Sequence, residues 1–205
     1  MAAVLCFLAA CSSEPVKRTE TAPPPPAQAP ETFRVKFETT KGDFLVEVVR
    51  EWAPHGVDRF HELVTKRYYD GTRFFRVVPR FVVQWGIHGD PKVQSLWRTA
   101  VIPDDPVRQS NKRGFLTYAK SGPQTRTTQV FINLADNARL DADGFAPFGH
   151  VIEGMDVVDQ LHKLYGEAPP GGVGPDQMRI QAEGNPYLDR YFPRLDAVKT
   201  ARIVE

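Results

Sequence analysis

Residues 73–84 read Arg-Phe-Phe-Arg-Val-Val-Pro-Arg-Phe-Val-Val-Gln, and this run constrains the fold more than any other. Two stretches rich in β-branched and aromatic residues flank Pro79-Arg80. Proline fixes φ and the polar residue after it tolerates a bend, so the run predicts two strands joined by a tight turn. Arg76 and Gln84 sit inside these apolar stretches. A guanidinium cannot be neutralised and is costly to bury unpaired. Arg76 therefore either swings out to solvent from a half-buried strand or serves a partner.

The neighbouring sequence extends the β pattern. Residues 33–38 alternate apolar and polar, Lys41-Gly42 marks a turn, and residues 43–49 return as a second strand. The period then changes. Across 51–66, Val57, Phe60, Leu63 and Val64 share one helical face, and Pro54 stands where a helix start accepts it. His55 and His61 are six apart, so they do not share a metal-binding helix face, and both read as surface or helix-end residues. Residues 86–91 and 103–111 are loop-like, 114–119 and 128–133 are strands, and 120–127 is a polar loop around Gly122-Pro123. After a loop at 134–147 comes a short strand at 148–151. A second helix is predicted over 154–166, with Met155, Val158 and Leu161 on one face and Gly166 as its stop. Residues 185–195 form a short extra helix and 197–204 a closing strand. Gly171-Gly172-Val173-Gly174 lacks the strand and helix context of a phosphate-binding loop. The expected fold is mainly β: a closed antiparallel eight-stranded barrel capped by two α-helices.

Composition removes several function classes. With 205 residues and a net charge of +1, no basic face dominates, which argues against a nucleic-acid binder. The five histidines show no zinc-type spacing, and no Gly-X-Ser-X-Gly elbow occurs. Asp104-Asp105 falls in a turn-like loop and reads as solvated turn residues rather than an acid/base couple. No zinc site is expected from these histidine spacings.

The N-terminus stands apart from the fold. Residues 1–10 are short and apolar, too short to span a membrane, and end Leu8-Ala9-Ala10-Cys11. That tetrapeptide resembles the bacterial lipobox, which implies cleavage before Cys11 and lipidation of its thiol. No Lys or Arg precedes the apolar run, which points to a start upstream of Met1. Ser12 rather than Asp in the next position implies the outer membrane, and the domain would then face the periplasm. Residues 11–31, with Pro23 to Pro26 and Pro30, favour polyproline II and act as a spacer some tens of ångströms long. The expected organisation is a signal peptide at 1–10, a lipidated linker at 11–31 and a folded domain at 32–205.

Phe74-Phe75-Arg76-Val77-Val78-Pro79, with Phe81 and Gln84 after it, resembles the cyclophilin signature. It is followed in order by Gly114-Phe115-Leu116-Thr117-Tyr118-Ala119, Gly122-Pro123, Gln129-Val130-Phe131-Ile132, Leu140-Asp141 and Gly144-Phe145-Ala146-Pro147-Phe148-Gly149. The resemblance covers roughly 32–205. It implies a peptidyl-prolyl cis-trans isomerase without a cofactor, acting as a monomer on proline-containing peptides and unfolded proteins of the envelope. It assigns Arg76 as the catalytic donor and Phe81, Phe131 and Leu140 as an exposed apolar patch that takes the proline ring, edged by Val82 and Phe145. Gln84 would orient Arg76, while Gln129 and the backbone of Ala119 and Lys120 would hold the peptide. Three residues depart from the family pattern. Phe75 stands at a substrate-binding position where many members have His, Arg80 replaces a usual Gly, and Arg139 replaces a usual aromatic. These departures imply weak cyclosporin binding and motivate an alternative, a peptide-binding holdase or scaffold with weak or no catalysis. A tethered structural protein of the envelope is a third reading. A guanidinium turned away from the slot, or locked on a carboxylate that blocks it, would argue against the isomerase.

Overall fold

The computed structural model describes residues 26–205. Cys11 and most of the spacer lie outside the described residues. In chain order the elements are β1 (Thr32–Thr39), β2 (Asp43–Val49), α1 (Pro54–Thr65), β3 (Arg76–Val78), β4 (Val82–Trp85) and α2 (Pro91–Trp97). They continue with β5 (Phe115–Tyr118), β6 (Val130–Asn133), α3 (Arg139–Ala142), β7 (Pro147–Glu153) and α4 (Met155–Asp159). The last are α5 (Gln177–Glu183), α6 (Asn185–Tyr191) and β8 (Val198–Val204).

The eight strands form one antiparallel sheet in the order β3-β4-β6-β5-β7-β2-β1-β8. Alternation decides which side chains enter it, since successive residues of a strand face opposite ways. Phe33, Val35 and Phe37 of β1 and Phe44, Val46 and Val48 of β2 are buried on the inner face. Phe37 pairs with Phe44 across the ladder and their rings stack at 4.8 Å. Helix α1 closes one end of this core with Val57, Phe60, Leu63 and Val64, as its period requires.

The barrel is open rather than closed. Terminal strands β3 and β8 share no ladder. β3 has only three residues, and the chain before it crosses the gap as coil. A single bridge between Arg73 and Ala197 and a few backbone bonds tie the seam, among them Gly71 N–H to Val198 O at 2.8 Å.

Other expectations shift in the helices and loops. The second predicted helix stops at Asp159, because Leu161 turns into the core and the His162 amide donates to Asp196 at 2.7 Å. Helices α2, α3 and α5 occupy stretches the sequence pattern left as loop or unassigned. Gly184, at φ 66°, separates α5 from α6 and lies so close to Gly89 O that a side chain would clash. At the other end, Ala29 is buried and its amide donates to Asp58 at 2.9 Å, so the folded part includes residues before 32.

Asp105 is a buried structural residue, not a solvated turn residue. Its carboxylate accepts the His55 and Gly56 amides, capping α1 from a distant loop, and also pairs with buried Arg126 at 2.9 Å. Asp104 lies 3.2 Å from the same guanidinium. Replacing Asp105 with Ala leaves two amides and a cation short of a partner. We expect Asp105→Ala to lower unfolding free energy by about 3 kcal/mol in chemical denaturation, at the low end for a broken buried pair because Asp104 remains.

Candidate functional site

Strands β3, β4, β6 and β5 place one residue each in a row across the outer face of the sheet. Arg76 lies opposite Gln84, Gln84 opposite Phe131 and Phe131 opposite Thr117. Their chain neighbours Val77, Val83, Ile132 and Leu116 point inward to the main core. A period of two thus sends one set of residues to packing and turns Arg76, Gln84 and Phe131 to a groove of about 480 Å³, while Thr117 is buried beside it and donates to Asn111.

The polar half of the row is continuously hydrogen-bonded. Arg76 Nη1 donates to Gln84 Oε1 at 3.0 Å, and Gln84 Nε2 donates to Gln129 Oε1 at 2.8 Å. Gln84 is buried, with both ends of its amide used in this relay. Behind Arg76 stands Glu167, which accepts from Nε at 2.8 Å and from Nη2 at 2.5 Å. Arg76 lines the groove and Glu167 does not. A guanidinium has five N–H donors. Glu167 and Gln84 engage three, which leaves one on each terminal nitrogen. The carboxylate therefore holds Arg76 without filling the slot.

The apolar half is a small cluster separate from the main core. Val82, Phe131 and Leu140 form it, with Phe81, Ala119 and Phe145 packed on them. Phe145 meets Phe131 edge-on at 5.9 Å. The expected exposed patch is instead a walled slot, with Phe131 4% and Leu140 8% exposed, because the loops carrying Phe81 and Phe145 enclose it. Those loops are held by polar groups that sequence reasoning missed. The Asn137 side chain donates to Phe81 O at 2.9 Å, and that of buried Asn111 donates to Phe145 O at 2.8 Å. Asp141 accepts from Ser110 and Asn111. Burial pushes the Asp141 carboxyl up, but these bonds hold it below the usual carboxylate range.

Ala119 and Lys120 line the groove. Lys120 Nζ lies 3.3 Å from Asp104 and 5.3 Å from the Phe145 ring. Phe75 does not line it. It is buried in a second cluster with Ile87, Ile180, Tyr187 and Leu188, because helices α5 and α6 cover the position. Arg80 adopts φ 61° at the turn, the conformation for which glycine is usual. The Arg139 guanidinium stands 4.8 Å from the Phe81 ring. Gln177 and Gln181 add a wall from α5. Their spacing of four was legible as one helical face, but the helix itself was not predicted.

A family model described as cyclophilin-type peptidyl-prolyl cis-trans isomerase/CLD matches residues 34–181. The chain belongs to the cyclophilin family. It is 36% identical over 132 residues to a peptidyl-prolyl cis-trans isomerase of Acinetobacter baylyi, covering 62% of this chain and 70% of the relative. It is 33% identical over 162 residues to peptidyl-prolyl cis-trans isomerase A of Dickeya dadantii, covering 77% and 83%. Among solved structures, a cyclophilin-type isomerase of Cryptosporidium parvum superposes with a TM-score of 0.63 at 21% identity, over 85% of this chain and 98% of that one. That protein was also solved in the presence of the dipeptide Ala-Pro. Like its relatives, this cyclophilin is a peptidyl-prolyl cis-trans isomerase.

Partial burial pushes the Glu167 carboxyl up, but the hydrogen bonds and charge of Arg76 and the Ala168 amide together hold it below its usual 4.5. A carboxyl depressed by folding adds stability that is complete above its unfolded pKa and lost as pH falls through its folded value. The difference in unfolding midpoint between wild type and Glu167→Gln is expected to stay constant from pH 7 to pH 5 and to shrink below about pH 4.5. A difference that grows toward acid would contradict this assignment.

Proposed function

We propose that the groove speeds rotation about X-Pro bonds by hydrogen bonding from Arg76 to the twisted amide while the slot of Phe81, Phe131 and Leu140 holds the proline ring. The observation that carries this reading is the hydrogen-bonded row Arg76–Gln84–Gln129 running beside that slot.

The chemistry asks for little more. An amide resists twisting by about 18–20 kcal/mol because resonance is lost at the perpendicular geometry. No σ bond breaks, so neither nucleophile nor metal is required. In the twisted state the proline nitrogen becomes pyramidal and regains its lone pair. A donor fixed near it binds that state better than the planar one, and only such differential binding accelerates the step. The two N–H groups that Arg76 has left are suited to this. Val82 and Phe145 at the slot's edges restrain the ring, so rotation falls on the other side of the amide. Gln129, Ala119 and Lys120 hold the peptide chain. Fixed donors of this kind contribute about 2.7–4 kcal/mol. Arg76→Ala should therefore slow exchange of an unstructured Ala-Ala-Pro-Phe peptide by about two to three decades, read by NMR exchange spectroscopy. Full activity in that variant would exclude Arg76 as the donor.

We further propose that the isomerase works in the bacterial envelope, lipid-anchored at Cys11 and facing the periplasm from the outer membrane, on unfolded envelope proteins. The support is Leu8-Ala9-Ala10-Cys11 after an apolar run, followed by Ser12 and a proline-rich spacer. Several buried acyl CH₂ groups at about 0.8 kcal/mol each make a multi-chain anchor stable. Wild type is expected to incorporate labelled palmitate and sediment with membranes, and Cys11→Ser to do neither. Equal sedimentation of the two proteins would argue against the anchor.

A further inference from the structure

The cyclophilin core is continued by residues 160–196, which leave the barrel after α4 and return at β8. Within this stretch Glu167 reaches Arg76 and grips it through two nitrogens. We infer that Glu167 is a positioning residue for the isomerase, fixing the Arg76 guanidinium so that its two remaining donors face the slot. The inference rests on Arg76 as the donor.

Three observations carry it. The first is geometric. Gln84 alone holds one corner of the guanidinium, at Nη1, and leaves the plane free to swing. Glu167 takes the opposite edge, Nε and Nη2, so the two acceptors together define its plane. The second is that the carboxylate stands beside the groove and not in it, while Arg76 lines it.

The third is how Glu167 is itself held. The run Gly171-Gly172-Val173-Gly174, which has no phosphate-loop context, wraps the backbone of Glu167. Gly174 N–H donates to Glu167 O at 2.7 Å. A Cβ on Gly172 would fall well inside contact distance of Glu167 O, and one on Gly174 would stand 2.9 Å from that atom. A Cβ on Gly171 would stand 3.0 Å from Glu167 Cγ. Glycine is needed here for close approach. The Ala168 amide adds a bond to Oε1 at 3.2 Å. The glycine run thus acts as a collar that sets where the carboxylate stands.

Misplacing a catalytic group by about 1 Å costs on the order of 10²-fold in rate, so a guanidinium released to swing should lose part of that factor. Glu167→Gln, which keeps shape but loses charge, is expected to lower kcat about tenfold, with KM for the Ala-Ala-Pro-Phe peptide changed less than twofold. Glu167→Asp should fall between the two. Gly172→Ala, with Glu167 intact but displaced, should reproduce the loss. In an Arg76→Ala background, Glu167→Gln should have no further effect, because a residue acting only through Arg76 has nothing left to position. Wild-type or raised kcat in Glu167→Gln would overturn the inference, as would a loss that persists without Arg76. Full activity in Arg76→Ala alone would instead remove the donor assignment on which it rests.

Discussion

The molecule depends on a sheet whose two faces do different work over one short patch. In β3, β4, β5 and β6 the inward residues are Val77, Val83, Leu116 and Ile132, all packed into the main core. The outward residues are Arg76, Gln84, Thr117 and Phe131. A one-residue slip would exchange these sets, burying a guanidinium among valines and moving the groove lining inside. The same packing that stabilises the fold therefore fixes which side chains meet substrate. No extra element is needed to bring Arg76, Gln84 and Phe131 together.

What the sequence made legible follows from that economy. The strands showed because alternation is a local signal, and Phe33, Val35, Phe37 or Phe44, Val46, Val48 carry it without reference to distant residues. The groove residues showed because they lie on those strands or in motifs beside them. Closure did not show. Whether a sheet meets its own end depends on tilt and length of the last strands, and a three-residue β3 is not readable from an apolar run that extends from Phe74 to Val78.

The misses share one cause, a partner far away in the chain. Asp105 reads as a turn residue until His55, Gly56 and Arg126 are placed around it. Phe75 reads as a site residue until Ile180 and Leu188 cover it. Glu167 carries no local pattern at all, and its link to Arg76 spans 91 positions. Helix α5 is short and relies on its Asp176 cap and on the small cluster beneath it rather than on a long apolar period. Propensity alone gives such helices little support in water.

The unclosed seam has a consequence for how this protein survives crowding. An unpaired strand invites a foreign strand to add to it, the first step of edge-to-edge aggregation. Here β3 is too short to template such an addition. On the opposite border, the Val198 amide is spent on Thr72 O and the Ala201 amide on the Asp70 carboxylate, which also clamps Arg202 at 2.7 Å. The coil that fails to complete the barrel thus serves as a selvedge, hemming the fabric where it would otherwise fray into its neighbours.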